Sequence, residues 1–399
     1  MAEEGWRHIE LWKEITEQQW EDWQWQIKNR ITRVDDLKKI INLTPEEEEA
    51  AKRTHGRLPM AITPYWATLM DPKRQNCPIR KQCVPTVNEF QSTSFDMTDP
   101  LSEDKDSPVP GLVHRYPDRV LLLATERCAT YCRHCTRRRL VGSEDKLSSA
   151  HRFDQAYDYI RSNRRIRDVL ISGGDPLMLA DDKLEEIIKT IKSIPHIHFV
   201  RIGTRMPVNL PMRITNEFLA MLKKYSPIWM SMHFNHPREI TKRVKAACNA
   251  LADSGIPLGS QTVLLKGIND RPYIMRRLMH ELLKIRVRPY YIYQCDPVKG
   301  TAHFRTPIGV GINIMEKLRG FTSGYAVPTY VIDAPGGGGK ITIYPNYIIS
   351  QEKGAFTLRN FEGKLYKYYE PQHLPQSETM PAPCDAKQRL GPSKDSKVA

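Results

Sequence analysis

The chain has 399 residues, of which 40% are apolar and 27% charged, as in a folded globular protein with one large core or two domains. No stretch approaches the roughly 18 unbroken apolar residues of a membrane span, and the N-terminus lacks the order of a signal peptide, so we expect a cytoplasmic protein. The net charge of +14 is spread along the chain and is densest at Arg137–Arg139 beside a group of cysteines, which favours small anionic ligands over a nucleic-acid surface.

Residues 1–60 are predicted to form a helical arm. Thr16 and Thr44 each stand three residues before Gln or Glu, which is the capping-box spacing at a helix start. Five of the seven tryptophans of the chain also lie in this arm. We expect so much aromatic surface to dock against the body of the protein or against a neighbouring subunit, and we therefore predict a homo-oligomer.

Residues 61–113 are predicted to be a connecting segment. Its later part, residues 98–111, is acidic and rich in proline. This composition is typical of an irregular linker, so we predict an extended connector here.

Short apolar runs alternate with amphipathic helical stretches from residue 114 to about 325. Near-continuous apolar strands separated by helices indicate parallel strands that are buried on both faces. We therefore predict an α/β fold built on a partial (β/α)6 barrel, two units short of an eightfold barrel. Residues 326–370 follow as a C-terminal extension with strands, and residues 371–399 as a flexible tail. The six predicted strands are 119–125, 168–174, 198–205, 228–234, 257–265 and 287–296.

The C-terminal ends of these strands carry polar motifs: "ATERCATYCRHC", "SGGDP", "GTRMP", "HFNHP" and "YQCDP". In βα architectures the catalytic groups collect at this end of the sheet. The sequence therefore predicts an active site there.

Three cysteines after the first barrel strand have the spacing C-x3-C-x2-C: Cys128, Cys132 and Cys135. A structural zinc site and an ordinary iron–sulfur cluster each take four protein ligands, and no second cysteine pair lies nearby. Three thiolates on a four-iron cluster would leave one iron open for a substrate or cofactor. Zinc and unliganded thiols remain the alternatives.

The segment "DAPGGGGKI" does not have the spacing of a phosphate-binding loop. It could be a turn with a solvated lysine. Four glycines also permit close backbone approach to a bulky ligand, and a desolvated Lys340 could form a Schiff base with a carbonyl cofactor.

The cysteine spacing, with an aromatic ring just before Cys135 and "SGGDP" one βα unit later, resembles the radical S-adenosylmethionine (SAM) superfamily. Together with "DAPGGGGK", "HRYPDR" and "RPYYIYQCD", it resembles the lysine 2,3-aminomutase family, whose members also use pyridoxal 5′-phosphate (PLP). The resemblance covers nearly the whole chain. It implies a radical SAM barrel and 2,3-amino migration that interconverts L-lysine and L-β-lysine.

The resemblance also implies roles for individual residues. Lys340 would hold PLP as the catalytic lysine, and Arg137 would bind the substrate carboxylate. Asp296 and Asp333 would grip a lysine ε-ammonium, since relatives that use glutamate have non-acidic residues there. The metal ligands would be Cys128, Cys132 and Cys135 on a [4Fe-4S] cluster. The remaining cofactor-binding positions would be Arg115, Tyr116 and Arg119 for PLP, Ser172, Gly173, Gly174 and Asp175 of the glycine motif facing SAM, and His134 and Gln261.

The tail departs from the family pattern, because it offers only Cys384 where clostridial relatives have a zinc-binding cysteine cluster. We therefore do not predict zinc. The expected homo-oligomer is a dimer or a tetramer. A flavodoxin or ferredoxin is expected as the reductant. Two alternatives stay open: the same chemistry on arginine, on glutamate or for protein modification, and a radical SAM enzyme that modifies RNA, which would have no need of Lys340.

Overall fold

The computed structural model describes residues 5–53, 58–142 and 150–371. The chain forms two compact units, of which the first ends at Tyr344 and the second begins at Pro345. Cys384 and the predicted tail from residue 372 onward lie outside the described residues.

The N-terminal arm is a series of short helices with strong start signals. Both predicted capping boxes are confirmed: the hydroxyls of Thr16 and Thr44 accept from the amides of Gln19 and Glu47, whose side chains accept from the threonine amides in return. These reciprocal bonds satisfy donors that a helix start leaves unpaired. The helices of the arm are α1 (Glu17–Glu21), α2 (Trp23–Lys28), α3 (Val34–Lys38) and α4 (Pro45–Lys52), and α5 (Pro64–Thr68) follows in the connecting segment.

The tryptophans of the arm pack within their own chain. Trp6 stacks on Trp20 with ring centroids 4.5 Å apart, and Trp12 lies 5.4 Å from Trp20. All three are buried in the main hydrophobic core. Because this surface is covered intramolecularly, the arm no longer supports the predicted oligomer, which stays a prediction.

The first unit is built on one nine-stranded sheet whose strands follow chain order. The seven strands β2 to β8 are parallel, and β1 and β9 pair antiparallel at the two edges. All six predicted strands are confirmed as β2 to β7, and β8 adds a seventh parallel strand beyond residue 325. The strands are β1 (Leu112–Tyr116), β2 (Arg119–Thr125), β3 (Asp168–Gly173), β4 (Phe199–Thr204), β5 (Trp229–His233), β6 (Leu258–Leu264), β7 (Arg288–Gln294), β8 (Thr329–Ala334) and β9 (Gly339–Thr342).

Helices connect the parallel strands and cover the outer face of the sheet. The predicted amphipathic helices form as α7 and α11, whose apolar faces, such as Leu184 and Ile188 of α7, are buried in the main core. This burial of one face is what an apolar spacing of three and four residues predicts. The helices are α6 (Ala150–Ser162), α7 (Asp181–Lys192), α8 (Met206–Asn209), α9 (Asn216–Lys224), α10 (Lys242–Asp253), α11 (Pro272–Lys284) and α12 (Ile308–Leu318).

The acidic segment 98–111 is not the extended connector that its composition predicts. Backbone bonds such as Ser102 N to Asp99 O and Asp106 N to Ser102 O, both 3.2 Å, fold it into turns. The acidic side chains of these turns form ion pairs with arginines, as described below, and this pairing compensates for the absence of an apolar core in the segment.

The second unit contains an antiparallel three-stranded sheet. Its strands are β10 (Ile348–Glu352), β11 (Ala355–Arg359) and β12 (Leu365–Tyr369).

No helix in the described residues is long and apolar enough to cross a membrane.

Candidate active site

The concave face of the sheet encloses a cavity of about 880 Å³. On β3 and β4 every second residue lines it, as successive side chains of a strand alternate between faces. This face is therefore not packed with apolar side chains, which differs from the predicted burial of the strands on both faces. Among the residues that line the cavity are Leu170 and Ser172 of β3, Arg201 and Gly203 of β4, Ser231 and His233 of β5, and Gly259 and Gln261 of β6.

The two edge strands of the sheet meet beside this cavity. The Lys340 amide on β9 donates to the Tyr116 hydroxyl on β1 over 2.9 Å, although the two residues are 224 positions apart. Arg119 stacks on the Tyr116 ring at 3.9 Å. The contact thus brings the predicted PLP lysine and two of the predicted PLP contacts into one junction.

Arg115 lies in the same junction, under the glycine run. Its Nη2 pairs with Asp106 at 2.8 Å and also donates to the Leu101 carbonyl. Its Nη1 is buried and has no hydrogen-bond partner among the described residues. Gly337 has a φ of +93°, and a Cβ there would lie 2.7 Å from Nη1. A small residue over an unpaired guanidinium N–H suits an anionic group such as a phosphate, so the residues present fit PLP.

Lys340 projects towards the cavity from β9. Its Nζ lies 3.1 Å from Asp333 Oδ1 on the neighbouring strand β8, and the Lys340 side chain is 34% exposed against 10% for Asp333. The same Nζ lies 5.4 Å from the Tyr293 ring centroid. Burial, followed by the Asp333 charge, holds the pKa of the Tyr293 hydroxyl well above its ordinary value.

Asp296 lies just after β7 and also lines the cavity. Its Oδ2 accepts a hydrogen bond of 2.7 Å from the Thr136 hydroxyl. Burial raises the pKa of Asp296 to about 6, with Asp333 adding to the rise while Thr136, Lys340 and Arg137 oppose it. The two predicted ammonium-binding carboxylates therefore lie close enough to repel one another.

Arg137 reaches the cavity from the cysteine loop but is held by Glu103. Its Nε lies 2.9 Å and 3.1 Å from the two Glu103 oxygens, and its Nη2 lies 2.7 Å from Oε1. Glu103 also pairs with Arg139 at 3.5 Å, and these cations keep its pKa low against the opposing effect of burial. Within the described part of the chain Nη1 of Arg137 has no partner, so one edge of the guanidinium is available to a ligand.

The three cysteines of the motif lie in the loop after β2 and are not in disulfides. Burial raises the pKa of Cys135 to about 11 and that of Cys128 well above its ordinary value, and in each case other cysteines of the motif contribute. In the described residues, no three His, Cys, Asp or Glu side chains are arranged around one metal ion. A four-iron cluster binds each thiolate on a separate iron, so its ligands stand farther apart, and its charge would favour the thiolate form.

The glycine motif after β3 packs directly on the start of the cysteine loop. The Gly174 amide donates to Thr125 O over 2.6 Å, and the Asp175 amide to Arg127 O over 2.8 Å. A Cβ on Gly173 or Gly174 would collide with these carbonyl groups. The glycines therefore have a local reason to be present, which is the close approach of two backbones.

The other predicted cofactor residues differ in their access to the cavity. Ser172 and Gln261 line it. Asp175 is buried, and its carboxylate accepts bonds from Leu177 N, the Thr204 hydroxyl and Arg205 N at 3.1 Å, 2.6 Å and 2.8 Å. His134 is also buried, with Nε2 3.2 Å from Asn235 Nδ2 and with Nδ1 unpartnered among the described residues.

The sequence reasoning missed Glu103, Thr136 and His233 as residues that line the cavity. His233, whose pKa burial lowers to about 4, ends β5 in the motif "HFNHP", so its strand-end position was a usable signal. Glu103 lies in the segment predicted to be a linker. No local pattern indicates its pairing with an arginine 34 positions later.

Comparison with known proteins gives one consistent family. A family model described as lysine-2,3-aminomutase matches residues 315–396, and that of the radical SAM superfamily matches residues 122–278. The L-lysine 2,3-aminomutase of Fusobacterium nucleatum is 57% identical over 90% of this chain and 84% of its own length. That of Clostridium subterminale is 56% identical over 92% and 88%. The glutamate 2,3-aminomutase of Clostridioides difficile is 49% identical over 88% and 83%.

Proposed function

The chain belongs to the lysine 2,3-aminomutase family of radical SAM enzymes, and on that premise we propose that it interconverts L-lysine and L-β-lysine by 2,3-amino migration. Relatives named L-lysine 2,3-aminomutase are 51–57% identical to this chain and the glutamate 2,3-aminomutase is 49% identical, so overall similarity favours lysine by a small margin. The side chains that line the cavity distinguish the two substrates more sharply.

The observation that carries the proposal is the pair of carboxylates at one end of the cavity. Asp296 is largely buried. Burial, with a further contribution from the nearby Asp333 charge, raises the pKa of the Asp296 carboxyl group to about 6. Two such acids are costly to keep ionised without a cation between them. Among the described residues Lys340 forms an ion pair with Asp333 only, at 3.1 Å. The ε-ammonium of lysine would supply the second cation that Asp296 lacks, whereas the side-chain carboxylate of glutamate would add a third negative charge.

The opposite end of the substrate requires a cation for its α-carboxylate. Arg137 lines the same cavity and is oriented by Glu103, with which it shares two hydrogen bonds of 2.9 Å and 3.1 Å. Its Nη1 would contact the carboxylate, and the planar guanidinium suits that group. Lysine would thus be held at both ends, which is how an enzyme fixes the position of the carbon atoms between them.

A radical SAM enzyme carries a four-iron cluster and SAM. We propose Cys128, Cys132 and Cys135 as the cluster ligands and Lys340 as the catalytic lysine that holds PLP. Ser172, Gln261, His134 and the glycine motif are proposed to contact SAM. Arg115, Tyr116 and Arg119 would hold PLP, with the unpaired Arg115 Nη1 contacting its phosphate.

When bound, the cluster and SAM supply a deoxyadenosyl radical that removes a hydrogen atom, and PLP supplies the carbonyl that carries the migrating nitrogen. The protein contributes position and exclusion of water. Its cavity is enclosed by the sheet on the strand side, and the turns around Glu103 lie against the cysteine loop through the Arg137 and Arg139 pairs. A flavodoxin or ferredoxin is proposed as the one-electron reductant.

Turnover of competing substrates tests the substrate assignment. Anaerobically reconstituted enzyme is given L-lysine, L-arginine or L-glutamate, and the β-amino acid product is measured by mass spectrometry. We expect L-lysine to be preferred, and Asp333→Asn to remove most of this activity. The matched control is Asp168→Asn, which removes a carboxylate at the other end of the same cavity, where it pairs with Arg201 at 2.8 Å. This variant should keep the preference for lysine. Equal turnover of L-glutamate, or preferred turnover of L-arginine, would contradict the proposal.

A further inference from the structure

Arg205, which follows β4 in the motif "GTRMP", contacts a cysteine of the motif. Its Nη1 donates to Cys132 Sγ over 2.7 Å. The Arg205 side chain is only 8% exposed, so this charge is not screened by solvent as a surface charge would be. Neither the sequence motifs nor the proposed function gives this residue a role.

The rest of the guanidinium is fixed by a buried polar network. Its Nη2 donates to Gln82 Oε1 over 2.5 Å and to Glu239 Oε1 over 3.2 Å. Asn235 donates from its amide to Glu239 Oε2 and from Nδ2 to Gln82 Oε1, each over 2.9 Å, and the Trp66 ring lies 5.1 Å from the guanidinium carbon. Arg205 Nε is buried and has no partner among the described residues. The side chain is therefore held with one edge on the sulfur and the other on a carboxylate.

We infer that Arg205 is a positioning residue that orients the Cys132 thiolate and raises the reduction potential of the iron–sulfur cluster. The inference rests on the proposed assignment of Cys132 as a cluster ligand. One-electron reduction, by the flavodoxin or ferredoxin class of donor, adds one negative charge to the cluster. A fixed cation that donates a hydrogen bond to a ligand sulfur stabilises the reduced form more than the oxidised form.

Glu239 opposes this effect, because its carboxylate offsets part of the Arg205 charge from the far side of the guanidinium. Two substitutions should therefore shift the reduction potential of the cluster in opposite directions. Arg205→Gln removes the cation, so the cluster should become harder to reduce. Glu239→Gln removes the counter-charge but keeps the cation, so the cluster should become easier to reduce. General damage to the fold would not produce opposite shifts from two members of one network.

The test is a reductive titration of the reconstituted protein, followed by the electron paramagnetic resonance signal of the reduced cluster. At a fixed potential, we expect Arg205→Gln to lower the ratio of reduced to oxidised cluster about tenfold, equivalent to about 59 mV for one electron. Glu239→Gln should raise the ratio, and Arg205→Lys should lie between wild type and Arg205→Gln. The matched control is Arg213→Gln, which removes another fully buried arginine, paired with Asp181 at 2.5 Å, and should leave the ratio unchanged.

Iron and sulfide analysis of each protein separates the possible failures. A wild-type protein without a cluster would overturn the proposed function itself. If Arg205→Gln keeps its cluster and its potential matches wild type, the inference is wrong and the proposed function stands. If Arg205→Gln does not bind a cluster, the test rests on Glu239→Gln. An unchanged or lowered reduction potential in Glu239→Gln overturns the inference.

Discussion

Replacing Asp296 by Asn should make the folded chain more stable and the enzyme less active. Asn has nearly the same shape, and its carbonyl oxygen can still accept the hydrogen bond that Thr136 donates over 2.7 Å. The substitution removes a charge that burial and the neighbouring Asp333 both disfavour. It therefore separates the electrostatic cost of the site from its packing.

The expected gain in stability follows from the pKa of Asp296. The folded chain raises this pKa from an ordinary value of 3.8 to about 6, which makes ionisation in the folded state cost on the order of 3 kcal/mol. Below pH 3.8 the carboxyl is protonated in both the folded and the unfolded chain, so the cost is absent there. It grows as the pH rises and is complete above a pH of about 6. The Asn variant should gain up to this amount in its free energy of unfolding, and the gain should appear only at the higher pH values.

The expected loss of activity comes from the substrate ammonium. A hydrogen bond to a charged group contributes about 1.5–3 kcal/mol, so kcat/KM for L-lysine should fall roughly 10- to 150-fold. In the wild type, kcat/KM should also rise with pH as Asp296 ionises near pH 6, and this dependence should disappear in the variant.

The assay compares thermal unfolding of the cofactor-free proteins at pH 4 and pH 8 with steady-state kinetics of the reconstituted enzymes. The control is Asp168→Asn, whose carboxylate pairs with Arg201 at 2.8 Å and whose removal should destabilise the chain at pH 8. A lower unfolding temperature of Asp296→Asn at pH 8, with unchanged kcat/KM, would refute the electrostatic reasoning.

Three further substitutions test other parts of the site. Lys340→Ala should lose the borohydride-reducible PLP link, and peptide mass spectrometry that finds the adduct on another lysine would exclude this assignment. Glu103→Gln should raise KM for L-lysine about tenfold with a smaller change in kcat, because Arg137 loses its bidentate partner; an effect on kcat alone would contradict this. Gly174→Ala should reduce iron binding, because a Cβ would collide with the backbone before the cysteines; full iron content would show that the contact is dispensable.

The barrel strands could be predicted because their pattern is local. Each apolar run is bounded by polar residues, and a parallel strand must be followed by a crossover before the next one. The position of the site followed from the same rule, since the ends of parallel strands share one edge of the sheet. Asp296 and His233 both lie at such ends and line the cavity.

The junction of the two edge strands could not be predicted in this way. Tyr116 and Lys340 meet across 224 residues through one hydrogen bond between a side chain and the backbone. No periodicity encodes such a contact, and only the resemblance to a known family linked the two residues. The two alternatives for the tryptophan arm could not be separated for a related reason, because the sequence shows how much aromatic surface exists but not which surface covers it.

Three cations that line the cavity share one arrangement, which explains how a partly enclosed site tolerates them. Lys340 pairs with Asp333 at 3.1 Å, Arg137 with Glu103 at 2.7 Å, and Arg115 with Asp106 at 2.8 Å. An unpaired charge in such a place would be strongly destabilising, whereas each of these pairs is nearly neutral. Two of the acids, Glu103 and Asp106, belong to the turns of segment 98–111. A charged substrate or cofactor that binds here would exchange or share the ion-pair partners that these side chains already have. The acidic segment is therefore as much a part of the site as the motifs that could be recognised in the sequence.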